Sequence, residues 1–165
     1  MARRVFFSFH YAADAWRAAQ VRNMGVVEGN KPVSDNDWEA ITRGGDDAIK
    51  KWIDEQLAGK SCAVVLIGEH TAGRKWIKYE VQQAWSAGKG IVGVYIHNLK
   101  NQDEKQSSKG RNPFEDFTLG PDHTPLSDIV RAYDPPYVVS SSVYSHIKEN
   151  PENWVEEGIG VREDN

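Results

Sequence analysis

The stretch that decides the fold is CAVVLIGEHTAGRKWIKYEVQQAWSAGKGIVGVYIHN, residues 62–98. It opens with CAVVLIG (62–68), a continuous apolar run of strand length, and closes with IVGVYIH (91–97), a second such run. Unbroken apolar strands are buried on both faces, which is the mark of a parallel sheet covered by helices on either side. Between them, Ile77, Val81, Ala84 and Trp85 recur at helical spacing, and Gly88 or Gly90 ends the helix.

Working outward, DDAIKKWIDEQLAGKS (46–61) predicts another helix, with Ile49, Trp52, Ile53 and Leu57 on one face and Gly59 at its end. RVFFSF (4–9) predicts a first buried strand, followed by a helix over 14–23 that Asp14 can cap. Residues 25–45 carry turn chemistry in which a short strand could hide. Past Asn98 a long polar loop extends over about 99–120. YVVSS (137–141) reads as the last sheet strand, and Asn150-Pro151 opens a short terminal helix. The alternation predicts a doubly wound α/β fold with strands near 4–9, 62–67 and 91–96. Ligands of such sheets bind beyond the carboxyl ends of the strands.

The totals narrow the function classes. The 165 residues suit one domain, 1–165, with no repeat and no second unit, and 39% hydrophobic with 27% charged residues is ordinary for a globular chain. A net charge of -4 gives no reason to expect nucleic acid. The apolar lead at the N-terminus is too short for a secretory signal, and no run approaches membrane-spanning length. A single cysteine, Cys62, suits a reducing compartment, so a soluble cytoplasmic protein is expected. The five histidines show no metal-ligand spacing, so no metal site is expected. Neither a Gly-rich phosphate fingerprint nor a serine nucleophile elbow is present.

The strand ends are SFHY (8–11), GEHTAGRK (68–75) and IHN (96–98). The first offers two aromatic rings, a hydroxyl and an imidazole. At about 100° per residue, Glu80 lies roughly 60° from Ile77, and Trp76 roughly 100° from it, so both flank the core stripe one turn apart. Glu80 is then either a surface glutamate whose stem covers the core edge, as most helix glutamates are, or a carboxylate facing a ligand. Arg74, Lys75 and Lys78 crowd the start of the helix, against its dipole; they suit a phosphate or are merely solvated.

RVFFSFHY (4–11), VRN (21–23), GRKWIKYE (73–80) and SKGRNPF (108–114, with Ser107 before them) together resemble the TIR-like proteins of the Thoeris antiphage system, from the N-terminus to about Phe114. The resemblance implies a TIR variant of the flavodoxin-like fold and cleavage of NAD, taken as substrate and with no cofactor. It implies that Glu80, four positions after Trp76, is the catalytic carboxylate. Phe9, His10 and Tyr11 match pocket-lining positions, although many TIR proteins carry arginines where His10 and Tyr11 stand. Asp37, Trp38 and Asp47 fall in the loop region that helps close the pocket, and Arg74 and Lys75 are expected beside the substrate. The product implied is a cyclic ADP-ribose messenger acting on a separate effector, with self-association of TIR domains as a further possibility. Two rivals are a non-catalytic TIR-like interaction module and a nucleoside deoxyribosyltransferase-like enzyme, and release of nicotinamide from NAD separates them from the first reading.

Overall fold

The computed structural model describes residues 3–30 and 35–165. Strand β1 (Val5–Ser8) leads into helix α1 (Tyr11–Asn23), then α2 (Asp35–Arg43), α3 (Asp46–Leu57), β2 (Cys62–Ile67), α4 (Lys75–Ser86) and β3 (Gly90–Tyr95). Two short 3₁₀ turns and a small antiparallel pair, β4 (Thr118–Leu119) and β5 (Thr124–Pro125), follow; β6 (Ala132–Tyr133), α5 (Ser140–Glu149) and α6 (Pro151–Glu163) complete the chain.

The main sheet is parallel, in the order β1-β2-β3-β6. On the free side of β1, Arg4 forms a parallel bridge with Glu28. The strand suspected within 25–45 is thus a single bridge, and residues 31–34 of that stretch lie outside the described residues. With this edge counted, the chain reverses direction across the sheet between β1 and β2, which is the switch point of a flavodoxin-like order.

The period of two along each strand sorts the core into two layers. Val5, Phe7, Val64, Leu66, Val92 and Val94 face α1, α5 and α6 through Ala18, Val21, Val143, Ile147 and Trp154. Phe6, Ala63, Val65, Ile67, Ile91 and Tyr95 face α3 and α4 through Ile49, Ile53, Leu57, Ile77 and Val81. Gly90 and Gly158 let α6 lie directly on the sheet: a Cβ on Gly90 would stand 2.7 Å from the Ile159 nitrogen.

Two expectations are corrected. The last sheet strand is not 137–141: Tyr137, Val138 and Val139 are exposed and lead into α5, and the sheet position beside β3 is taken by Ala132–Tyr133. Pro135 and Pro136 separate the two segments and remove the backbone donors a ladder needs there. Asp14 does not cap α1, which starts at Tyr11 after an N-cap His10. Asp14 is instead buried and accepts from Arg17 Nη1 at 3.2 Å, while Arg17 Nε and Nη2 reach the carbonyls of Leu99 (2.8 Å) and Lys105 (2.9 Å). This ion pair ties the polar loop after β3 to α1.

Candidate active site

The site forms where β1 ends. Ser8 is the last residue of that strand and is buried. Its hydroxyl donates a hydrogen bond to Oε2 of Glu80, which α4 presents from the neighbouring crossover. Glu80 is not the boundary residue its helical position suggested: it is only 7% exposed and is buried together with Ile77, Val81 and Ala84. The burial that disfavours its charged form pushes the carboxyl up to about 8, against the opposing effect of the Ser8 hydrogen bond. A carboxyl so perturbed, in a cleft, marks Glu80 as a candidate functional group.

The cleft in front of Glu80 encloses about 180 Å³ and is lined by Phe9, Tyr11, Arg22, Asn30, Trp38 and Trp52 along with the floor of β1. Four rings run along its wall. Phe9 stacks near Tyr11 (6.2 Å between centroids), Tyr11 on Trp38 (5.4 Å), and Trp38 meets Trp52 edge-on (5.7 Å). Asn30 is held at the rim by its own side chain, whose Oδ1 accepts from the Phe7 backbone N–H at 3.0 Å. The approach requires the preceding glycine, since a Cβ on Gly29 would stand 2.5 Å from the Phe7 ring.

Phe9, Tyr11, Trp38 and Glu80 are therefore brought together. The other expected residues are placed elsewhere. His10 is half-buried and does not line the cleft; burial first, then the nearby charges of Arg74 and His70, lower its pKa. Trp76 packs edge-on against Tyr79 at 5.9 Å, with Lys75 Nζ 4.8 Å from its ring centroid, and it too is off the cleft. Lys75 is paired with Asp46 at the start of α3. Arg74 donates from Nε to the His70 carbonyl at 3.1 Å and lines a shallow surface hollow with Glu69, His70 and Arg111. Asp37 and Asp47 are exposed. Of Phe9, His10, Trp76 and Glu80, the cleft brings together Phe9 and Glu80 alone. The difference arises because Glu80 turns inward while Trp76, on the same helix, covers its flank.

Among the lining and contacting residues not assigned to the site from sequence are Ser8, Arg22, Asn30 and Trp52. The first had a signal, a hydroxyl in the strand-end cluster. Trp52 has the spacing of the core face of α3, yet it is only half-buried and meets Trp38 edge-on. Among the described residues, no group of three or more His, Cys, Asp or Glu side chains is placed to hold a metal ion.

The family described as "Thoeris protein ThsB, TIR-like domain" matches residues 6–101, more than half of the chain and all of the cleft. The chain belongs to this family. It is also similar, at 37% identity over 120 residues, to the protein named "Putative cyclic ADP-D-ribose synthase ThsB1" of Bacillus cereus (strain MSX-D12). That match covers 70% of this chain and 62% of the relative's length. Family membership accords with the doubly wound sheet described above, and the matched segment carries β1, α4 and the carboxyl-end cleft between them.

Proposed function

We propose that this protein cleaves NAD at the nicotinamide–ribose bond and forms a cyclic ADP-ribose-type nucleotide. The observation that carries the reading is the buried Glu80 carboxyl, held by Ser8 at the end of an aromatic cleft on the carboxyl side of the sheet. The name of the Bacillus cereus relative supports the same product class.

Breaking the bond sends its electron pair to the pyridinium nitrogen, and nicotinamide leaves as a neutral molecule, so no strong general acid is required. The ribose carbon becomes cation-like, as in glycoside cleavage. A carboxylate fixed beside it stabilises that charge strongly because water is excluded and the effective dielectric is low. The bound pyridinium itself favours the ionised form of Glu80, so the substrate draws the proton off the carboxyl that burial holds on it. The rings of Phe9, Tyr11 and Trp38 stack the flat nicotinamide. A cleft of about 180 Å³ is below the roughly 300–1,000 Å³ of small-molecule sites. It receives the nicotinamide riboside end, and the adenosine half lies along the rim. There a nucleophilic atom of the same molecule can attack the ribose carbon and lose a proton, which gives the cyclic product; attack by water gives linear ADP-ribose and a proton.

The diffusible product then activates a separate effector in antiphage defence. No helix among the described residues is long and apolar enough to cross a membrane, and buried, unpaired Cys62 suits the reducing cytoplasm in which we place the reaction. The test is mass spectrometry of NAD incubated with purified protein and with lysate of phage-infected cells expressing it. Nicotinamide and a cyclic ADP-ribose isomer are expected; NAD left intact in both refutes the proposal.

A further inference from the structure

Arg22 lies in the last turn of α1 and lines the cleft. Its guanidinium carbon is 6.0 Å from the centroid of the Phe9 ring. Its Nε is buried, and among the described residues no acceptor meets it. Burial alone acts on its pKa, downward, with no carboxylate to oppose it.

Arg17, earlier on the same helix, provides the contrast. It is more deeply buried, and each of its guanidinium nitrogens has an acceptor: Asp14, the Leu99 carbonyl and the Lys105 carbonyl. Among the exposed arginines, Arg3, Arg4, Arg43 and Arg111 have a carboxylate partner, and Arg74 has the His70 carbonyl. Arg22 is half-buried, and its buried Nε has neither form of compensation, although a donor withdrawn from water without a partner is costly. A basic residue in a last turn suits the helix dipole, but the dipole does not require the side chain to turn inward over a ring. Among the described lining residues the one acid is Glu80, which takes its hydrogen bond from Ser8 and is not paired with Arg22. These residues thus present one carboxyl and one guanidinium that do not neutralise each other.

A dinucleotide with a pyridinium at one end and a diphosphate in its middle has the complementary pair of charges. We propose that Arg22 is a binding residue that takes a phosphate oxygen of the substrate's diphosphate, so that the cleft selects phosphate-bearing nicotinamide compounds over the bare riboside. The guanidinium fork suits such an oxygen, and the Phe9 ring lies beside it. This inference rests on the dinucleotide reading of the cleft but not on turnover.

The experiment is equilibrium titration of wild type, Arg22→Gln, Arg22→Met and Arg22→Lys with ADP-ribose, which carries the diphosphate without nicotinamide, and with nicotinamide riboside, which carries no phosphate. Nicotinamide release from NAD is followed in parallel, and melting temperatures verify the fold. The Gln and Met variants are expected to bind ADP-ribose about 10- to 100-fold more weakly, the range for a hydrogen bond to a charged group. Lys is expected to fall between them and wild type. Nicotinamide riboside binding is expected to change by about twofold at most, since this ligand offers the guanidinium no anionic group. Unchanged ADP-ribose affinity overturns the proposal, as does equal loss of both ligands, which assigns Arg22 to positioning Phe9, and as does a wild type that binds neither. If ADP-ribose binding depends on Arg22 while no nicotinamide is released either by purified protein or in lysate of phage-infected cells, the binding assignment stands and the proposed reaction falls.

Discussion

Replacing Glu80 by Gln should make the protein more stable in alkaline solution while removing its chemistry. The carboxyl is raised from an ordinary value of 4.5 to about 8 by burial. Below pH 4.5 both the folded and unfolded chains carry it protonated, and it has no net effect. Between 4.5 and 8 the unfolded chain releases the proton and the folded chain keeps it, so stability falls steadily as pH rises. Above 8 the slope ends and the full cost of a buried charge remains, on the order of 5 kcal/mol. For a domain of this size that corresponds to roughly 10 °C or more in melting temperature. Glutamine is close in shape to the protonated acid and can still accept from Ser8. At pH 5 the variant should therefore melt within about 1 kcal/mol of wild type. At pH 8.5 it should melt clearly higher. Thermal unfolding of both proteins across pH 5–9 measures the difference curve, in which other titrating groups cancel. Turnover of NAD by the variant should fall on the order of a hundredfold or more, since the amide cannot stabilise a cation-like ribose. A melting difference that is flat with pH would show that Glu80 does not titrate as a buried carboxyl. A variant with near-normal turnover would return it to a structural role.

Three further outcomes are expected. NAD affinity of wild type should rise with pH from 6 to 8, by up to about tenfold per pH unit, because binding expels the Glu80 proton; calorimetry in buffers of different ionisation enthalpy detects that proton, and Glu80→Gln should show none. Ser8→Ala removes the one hydrogen bond that lowers the Glu80 pKa, so the pH profile of nicotinamide release should move to higher pH, with turnover at pH 7 down about tenfold. Gly90→Ala sets a methyl group against the backbone of Gly158 and Ile159 at 2.7–2.9 Å; neither can yield easily, and denaturant unfolding should show a loss of about 1–3 kcal/mol.

The sheet was legible because β2 and β3 are buried on both faces, and a strand with that environment has an unbroken apolar sequence. The edges were harder. Ala132–Tyr133 is too short to carry a period, while Tyr137–Val139 has strand composition but lies exposed, because two prolines and the geometry of β3 decide pairing where propensity cannot. Helix α2 was hidden among turn-forming residues. At the site, Glu80 and its strand-end neighbours Phe9 and Tyr11 could be located from position along the chain. The depth of Glu80 could not: a 60° offset from the core stripe is compatible with solvent or burial, and only the approach of β1 with Ser8 decides it. Asn30 reaches the cleft from a segment tied to the sheet edge by the single bridge at Glu28, a contact with no periodic signal, and Arg22 reaches it from the last turn of α1.

The row of rings from Phe9 to Trp52 also makes the cleft optically distinct. Trp38 and Trp52 belong to it, whereas Trp154 is stacked on Tyr133 across the sheet, Trp85 lies under Arg162, and Trp16 is open to water. An excited indole gives up an electron readily, and a pyridinium ring accepts one. Nicotinamide bound as a cation should quench the emission of the cleft tryptophans, and its departure as a neutral molecule should restore part of it. The protein thus carries an intrinsic reporter that separates arrival of the substrate from loss of its leaving group, in real time and without a label.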